Sequence, residues 1–151
     1  MVGHNQVFEQ LRSALAAPDP YEAKVRQSAE LIRYAGGYRW VGIYEIDREE
    51  IAAIAWTGSN PPAFPRFPKT QGLCGVAVRL GTTVVGDVAK DPRYLTTFGS
   101  TMSEIVVPIY SRAGEIALGL IDVESEQLNA FGDADREFLE GCAALMAGLW
   151  E

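Results

Sequence analysis

The chain has 151 residues, of which 48% are hydrophobic and 22% are charged, as expected of one globular domain with a substantial core. Its formal net charge of −7 argues against nucleic acid or an anionic membrane surface as the main partner. No apolar run is long enough to span a membrane, and the N-terminus lacks the apolar stretch of a signal peptide. The two cysteines do not suggest a disulfide framework, so we predict a cytoplasmic protein.

Two helices are predicted at the start of the chain. Apolar residues recur at helical spacing over residues 5–16, and again over residues 21–34. Pro18 breaks the first helix, and Gly36 begins a glycine pair that is typical of a helix C-terminus. Residues 1–20 are therefore expected to form a helical extension of the domain.

The middle of the chain alternates short regular elements with irregular segments. The predicted elements are strands at residues 38–46, 51–56 and 82–86 and a helix at residues 73–80. Residues 57–71 hold four of the eight prolines together with Phe64 and Phe67, which predicts an ordered loop or lid and not a linker. A second irregular segment is predicted at residues 87–101.

A hairpin of two apolar strands, residues 103–110 and 116–124, organises the rest of the chain. Both strands are rich in β-branched residues, and the polar residues around Ala113 supply the turn. Residues 131–150 are predicted as a closing helix with Asp133 as its N-cap. Terminal helices with antiparallel strands between them predict an α+β domain in which helices cover one sheet.

Three acidic side chains are predicted to converge on one face of this hairpin. Centring the hairpin on Ala113 places Glu104 opposite Asp122, and Asp122 and Glu124 share a face because side chains alternate along a strand. Three like charges need a cation, donated hydrogen bonds or a shared proton. The alternative is a solvated strand end with salt-bridge partners such as Lys90, Arg93 or Arg112.

Several separated blocks of the sequence resemble the GAF domain family. The blocks are GLCGVA at residues 72–77, GTTVVGD at 81–87 with Asp91-Pro92 after it, SEIVVP at 103–108, the strand at 114–124 and FGDAD at 131–135. The resemblance covers nearly the whole of residues 1–151 and implies a single GAF domain. It implies a GAF/PAS-like central antiparallel sheet of about five to six strands, with the N- and C-terminal helices on one face.

Within that family the sequence is most similar to the free methionine-(R)-sulfoxide reductases. The shared features are a GxCG block with Cys74, an SEIVxP strand with Glu104, and an acidic strand end with Asp122 and Glu124. In those enzymes the acidic side chains hold the amino group and the sulfoxide of the substrate. The resemblance therefore implies that Glu104, Asp122 and Glu124 bind a ligand here.

One departure from the reductases bears on catalysis. Thr97 stands where they carry the nucleophilic cysteine, and Phe64 stands where they carry a second cysteine. Sulfoxide reduction by this route needs a thiolate to attack sulfur and a second thiol to resolve the product. The resemblance therefore supports the pocket and argues against the reaction.

The remaining pocket residues are predicted from their place beside the irregular segments. An apolar wall opposite the acids is predicted from the aromatic residues Trp56, Phe64, Phe67, Tyr94 and Phe98. Hydroxyl contacts are predicted from Thr97, Ser100 and Ser103. Arg93 is placed to meet a ligand carboxylate or phosphate, with a plain surface arginine as the alternative.

The cysteines and the single histidine restrict the chemistry further. Cys74 is expected to be a small buried residue and Cys142 a core residue of the last helix. His4 is the only histidine and is predicted to lie in a mobile N-terminal segment, which argues against a multi-histidine metal site and against haem. No cofactor or metal is predicted, because no metal-loop spacing is present and an amine fits the acids better.

Three functions remain open at this point. The first is a non-catalytic GAF sensor domain that binds an amine-bearing, amino-acid-like molecule and passes the signal to a partner or through a homodimer. The second is a diverged methionine-sulfoxide-reductase-like enzyme that uses Cys74 with an external thiol. The third is a ligand-free dimerisation module whose terminal helices pair.

Overall fold

The computed structural model describes residues 3–150, so residues 1, 2 and 151 of the predicted domain lie outside the described residues. The elements are α1 (His4–Ala16), α2 (Tyr21–Gly36), β1 (Trp40–Ile46), β2 (Glu50–Thr57), β3 (Arg66–Pro68), α3 (Gly72–Leu80), β4 (Thr83–Val85), β5 (Ser103–Tyr110), β6 (Ala117–Ser125) and α4 (Asp133–Met146). Short 3₁₀ turns follow at Val88–Lys90 and Ala147–Trp150. Within residues 3–150, no helix combines the length and apolar character that a membrane span requires.

The strands form one antiparallel sheet of six strands in the order β3-β2-β1-β6-β5-β4, which confirms the predicted α+β class. The edge strand β3 lies inside the segment that was predicted to be a loop, so that prediction was wrong for Arg66–Pro68. Proline is tolerated on a sheet edge because the missing N–H then costs no ladder hydrogen bond. The proline-rich segment therefore contains a short edge strand that its local sequence does not predict.

The two faces of the sheet are covered by different parts of the chain. The helices α1, α2 and α4 cover what we call the helix face, as predicted for the terminal helices, and its buried cluster is apolar apart from Ser28, whose hydroxyl donates to the Lys24 carbonyl oxygen of the same helix. The opposite face, which we call the loop face, is covered by α3 and by residues of the two irregular segments. Trp40 and Tyr44 of β1 both lie on the loop face, as their spacing predicts.

The central hairpin forms as predicted, but its register differs. Glu104 pairs with Glu124 and Val106 pairs with Asp122, so the register is shifted by two residues from the predicted pairing of Glu104 with Asp122. The turn is centred on Gly114, which has φ 80°, and not on Ala113. Because the shift is an even number of residues, the acidic side chains keep their common face.

The helix ends show one confirmed prediction and two corrections. Gly37 adopts a left-handed conformation, φ 66°, at the C-cap of α2, as the glycine pair predicts. Asp133 is the first residue of α4 and not its N-cap, because Gly132 takes that position and donates its N–H to Asp135 Oδ2 at 2.9 Å. The segment around His4 was predicted to be mobile, whereas in the structure His4 begins α1 and its ring centroid lies 4.6 Å from that of Phe138.

Candidate functional site

The three predicted acids lie together inside the loop face of the sheet. Glu104 is 3% exposed, and Asp122 and Glu124 are each 1% exposed. Glu104 stands on β5, and Asp122 and Glu124 stand on the neighbouring strand β6. They are therefore not a solvated strand end, and the free energy of their burial has to be offset by partners or by protonation.

The protein itself satisfies only part of this cluster. Thr101 Oγ1 donates a hydrogen bond of 2.9 Å to Glu124 Oε1, and the Tyr94 hydroxyl lies 3.5 Å from the same oxygen. Among residues 3–150, no donor group of the protein bonds to the buried oxygens Asp122 Oδ1 and Glu124 Oε2, although a proton on one acid can be shared between Asp122 and its neighbours Glu104 and Glu124. Two acceptor oxygens in the interior are thus left for something that can donate to them or neutralise them.

Burial and mutual repulsion perturb the acidity of all three groups. Burial, followed by the charge of Glu124, raises the pKa of Glu104 well above its usual value. Burial and the charge of Glu104 raise the pKa of Asp122 in the same way, and burial with the charge of Asp122 raises the pKa of Glu124. The cluster therefore holds its protons to higher pH than exposed carboxyl groups do.

Cys74 reaches this cluster from the layer above the sheet. Gly72 has φ 72°, and a Cβ at Gly75 would lie 2.8 Å from the preceding backbone, so these glycines allow the tight entry into α3. The turn brings Cys74 Sγ within 4.8 Å of carboxylate oxygens of Glu104 and Asp122. Cys74 is 5% exposed, which confirms the prediction of a buried side chain.

The thiol of Cys74 is protonated in this environment. Burial, and then the charges of Asp122 and Glu104, raise the pKa of Cys74 well above its ordinary value. The other thiol, Cys142, packs on the helix face, so the sheet separates the two cysteines. Cys74 is therefore not positioned to form a disulfide with Cys142.

A cavity of about 20 Å³ lies against the acids, and this volume accommodates roughly one water molecule. Its lining includes Glu104, Asp122 and Cys74 below and Phe64 and Thr97 from the irregular segments. None of the described residues that line it is basic. A wider groove of about 760 Å³ between α1 and α2 is open to solvent and has no buried charged side chain.

Two of the predicted aromatic residues enclose the acids at a distance from the cavity. The ring of Phe98 packs edge-on against Trp40 with centroids 5.2 Å apart, and Tyr94 contacts Glu124. Trp56 lies on β2 opposite Gly42, is 37% exposed and does not line the cavity. The apolar lining of the cavity comes from Phe64 and Leu95 of the irregular segments and from Tyr44, Phe67 and Leu73 of β1, β3 and α3.

Three predicted polar contacts lie away from the cavity. The Ser103 hydroxyl donates to the Gln127 carbonyl oxygen at 2.6 Å, and Ser100 is exposed. Arg93 Nη2 pairs with Asp91 Oδ2 at 2.6 Å and is 46% exposed. In this arrangement the guanidinium group is held by its own loop.

Sequence reasoning missed Thr101, Tyr44 and Leu95 as residues of the site, and it noted Gly72 and Leu73, which also line the cavity, only as part of the GLCGVA block. Thr101, which donates to Glu124, lies two residues before β5, and the hydroxyl contacts were predicted from Ser100 and Ser103 instead. Tyr44 and Leu95 line the cavity. Tyr44 was identifiable, because its alternation with Trp40 assigns it to the face opposite the helices, whereas nothing local marks Leu95.

The chain is similar in sequence to known proteins of the GAF domain family. The sequence model of the GAF domain matches residues 20–149. GAF domain-containing protein A of Dictyostelium discoideum is 29% identical over 137 residues, which cover 90% of this chain and 85% of the relative. The free methionine-R-sulfoxide reductase of Saccharomyces cerevisiae is 37% identical over 109 residues, which cover 71% of this chain and 60% of the enzyme.

A solved structure is similar over almost the full length of the chain. It is the X-ray structure of the free methionine-R-sulfoxide reductase of Neisseria meningitidis in complex with its substrate. The TM-score is 0.86 at 30% sequence identity, and the alignment covers 97% of this chain and 87% of the enzyme.

Proposed function

This chain belongs to the GAF domain family and is related to the free methionine-R-sulfoxide reductases, and on this premise we propose that it is a sensor domain for a small amine-bearing molecule. The ligand occupies the space between the acids of the loop face and the irregular segments above them. It is amino-acid-like, and the domain binds it without transforming it.

The observation that carries the proposal is the pair of buried acceptors without partners, Asp122 Oδ1 and Glu124 Oε2. An ammonium group offers three N–H donors and one positive charge, so it satisfies both oxygens and relieves the repulsion within the cluster. Water could donate to the same oxygens but would leave the like charges unbalanced. Ammonium recognition is therefore the chemistry that fits the acids best.

The aromatic residues around the acids support the same ligand class. Trp40, Tyr44 and Phe98 provide ring faces and edges on the side of the sheet that carries the carboxylates. Rings next to an acidic group favour a cation with an apolar body, through cation–π attraction and burial of the alkyl part.

The absence of catalysis in this proposal follows from the thiols. Thr97 stands where the resembling reductases carry their nucleophilic cysteine, and a hydroxyl group does not reduce a sulfoxide. Cys74 holds its proton because burial raises its pKa, and a thiol is a poor nucleophile compared with a thiolate.

A second candidate function is sulfoxide reduction by Cys74 with an external thiol as resolving partner. Its support is that Cys74 lines the cavity beside Glu104 and Asp122, and that related proteins carry the name of this activity. In this reaction the sulfoxide oxygen would have to accept the thiol proton of Cys74 in the same step in which Cys74 Sγ attacks the sulfoxide sulfur. The reductase and the sensor make opposite predictions for turnover.

A thermal-shift screen in the presence of a chelator tests the proposal. The panel contains free amino acids, both methionine sulfoxide epimers and polyamines, because a ligand that binds only the folded state raises Tm. We expect at least one amine-bearing compound to raise Tm, and we expect the shift to disappear in Glu104→Gln and to persist in the exposed control Glu137→Gln. Shifts from acids or neutral compounds alone, or an unchanged shift in Glu104→Gln, would contradict it.

Turnover is measured on the same protein. Methionine sulfoxide is incubated with the protein and an excess of a small dithiol, with Cys74→Ser as the comparison. The sensor predicts no product above background from either protein, whereas product that depends on Cys74 would establish the reductase. A ligand-free dimerisation module predicts no shift and no turnover, together with a dimer in size-exclusion chromatography.

The assembly and location complete the proposal. We propose a cytoplasmic protein that acts with a signalling partner or as a homodimer, in keeping with two free cysteines that are both buried. Analytical ultracentrifugation with and without the identified amine tests whether ligand binding changes the oligomeric state.

A further inference from the structure

Three side chains from three different elements come together at the bottom of the cavity. Cys74 is on α3, Glu104 on β5 and Asp122 on β6, and one ligand atom of each lies within 4.8 Å of the other two. All three side chains are at most 5% exposed. In a tetrahedral zinc site with metal–ligand bonds of about 2.0–2.3 Å, the ligand atoms are roughly 3.3–3.8 Å apart. A contraction on the order of 1 Å would bring this trio to that spacing.

Buried carboxylate oxygens without a donor are a second indication of a ligand at this position, independent of the distances between the three side chains. Asp122 lines the cavity, is 1% exposed, and no donor group within residues 3–150 bonds to its Oδ1. Glu124 Oε2, on the same strand face, is also buried and unpartnered. The cavity of about 20 Å³ has room for a single ion or a water molecule.

The donor set selects the class of metal. Calcium and magnesium prefer sites built wholly from oxygen, whereas a thiolate with two carboxylates suits a borderline ion. We propose that Cys74, Glu104 and Asp122 bind a divalent borderline metal ion of the zinc class, with one coordination position left to water. Binding transfers the thiol proton of Cys74 to solvent and forms a metal–sulfur bond, without any change of oxidation state.

The sequence alone ranked a metal below an amine because no metal-binding motif is present. The three ligands are widely separated in the chain and lack a common motif, so only the fold brings them together. The inference goes beyond the proposed sensor function and does not require it. If both hold, the metal and the ammonium group use Glu104 and Asp122 in competition, and metal availability regulates ligand binding.

Cobalt(II) alone tests the site, with no amine present. Purified protein is stripped with a chelator and dialysed, and Co²⁺ is added while absorption is recorded. We expect a saturable thiolate-to-cobalt charge-transfer band in the near ultraviolet and the strong visible bands of a four-coordinate ion, both abolished by added Zn²⁺. Cys74→Ser should remove the charge-transfer band, and the matched control Cys142→Ser should keep it.

Carboxylate variants keep the test decisive if Cys74→Ser folds poorly. Asp122→Asn and Glu104→Gln should each weaken Co²⁺ binding by at least roughly tenfold, with circular dichroism confirming that both are folded. No charge-transfer band in the wild type, or a band that survives Cys74→Ser, would overturn the proposal. The amine screen is run with chelator and the cobalt titration without amine, so either proposal can fail while the other stands.

Discussion

Both faces of the sheet bury an apolar cluster, but the loop face also buries three acidic side chains. On β5, Ile105 and Val107 point into the apolar cluster under the helices, while Glu104, which directly precedes Ile105, enters the acidic cluster on the other face. On β6, Ile121 and Val123 alternate with Asp122 and Glu124 in the same way. Each strand thus contributes to packing with one set of side chains and to a charged site with the other.

The two faces therefore contribute differently to the free energy of unfolding. The helix face gains free energy from burial of apolar area and needs no partner. The loop face buries three carboxyl groups and a thiol, and leaves two acceptor oxygens unpartnered. Burial of these acids is unfavourable for the free protein, so neutral replacement of an acid on the loop face and truncation of an apolar side chain on the helix face should change stability in opposite directions.

The largest expected effect is a loss of packing on the helix face. Leu139 on α4 is fully buried, and Leu139→Ala should lower the free energy of unfolding by about 3 kcal/mol, through lost apolar burial and the cavity left behind. Urea unfolding measures this change. Leu128→Ala, at a side chain 49% exposed, is the control and should change it by less than about 0.5 kcal/mol. A similar loss of stability in both variants would contradict the assignment of the stabilising apolar burial to the helix face.

The opposite sign is expected on the loop face. Glu104→Gln removes an acid whose ionisation is disfavoured by burial and by Glu124, and it supplies amide donors beside Asp122, so it should raise the free energy of unfolding by about 1–2 kcal/mol at neutral pH. A domain of this size would then melt roughly 2–6 °C higher. Differential scanning calorimetry with chelator and without ligand measures the shift, and Glu137→Gln on the surface should leave Tm unchanged. Destabilisation by Glu104→Gln would mean that the charge is already satisfied.

The free energy of unfolding should also depend on pH, because the ionisation of Glu104 is disfavoured in the folded state. The pKa of Glu104 is raised by burial and by Glu124, so the folded state binds more protons than the unfolded state once the pH exceeds the unfolded value of about 4. The free energy of unfolding then falls as the pH rises towards the folded pKa. The wild type and Glu104→Gln should therefore be closely similar in stability near pH 4 and diverge towards pH 8, when chelated. A constant difference in Tm across that range would exclude titration as its origin.

The smallest effect is expected at the exposed ion pair of the loop. Arg93 pairs with Asp91 and is 46% exposed, so Arg93→Gln should change stability by less than about 0.5 kcal/mol. It should also leave the affinity for an amine ligand unchanged, which isothermal titration calorimetry would measure. A large loss of affinity would restore Arg93 as the ligand contact that the sequence predicts.

The sequence predicted what depends on local pattern. The helices, the hairpin and the common face of Glu104, Asp122 and Glu124 follow from periodicity, and a register error of two residues leaves that face intact. The proximity of Cys74 to Asp122 could not be predicted in this way, because it depends on how α3 is seated over the sheet.

Other features were hidden by conflicting local signals. β3 contains Pro68 and is short, so local propensity disfavours a strand that edge pairing with β2 nevertheless forms. Thr101 looked no different from the hydroxyl-bearing residues Ser100 and Ser103, since only the fold decides which of them points at Glu124.

The small closed cavity has a consequence for the kinetics of recognition. An amino-acid-sized molecule does not fit into about 20 Å³, so Phe64, Leu95 and Thr97 have to move outward before such a molecule enters. The observed association rate should then stop rising with ligand concentration and reach a plateau set by the opening of these loops. A divalent ion is much smaller and does not require this outward movement of the loops. Stopped-flow traces would thus separate a slow, saturating organic ligand from a faster metal ion, and the domain would respond to its two partners on different timescales.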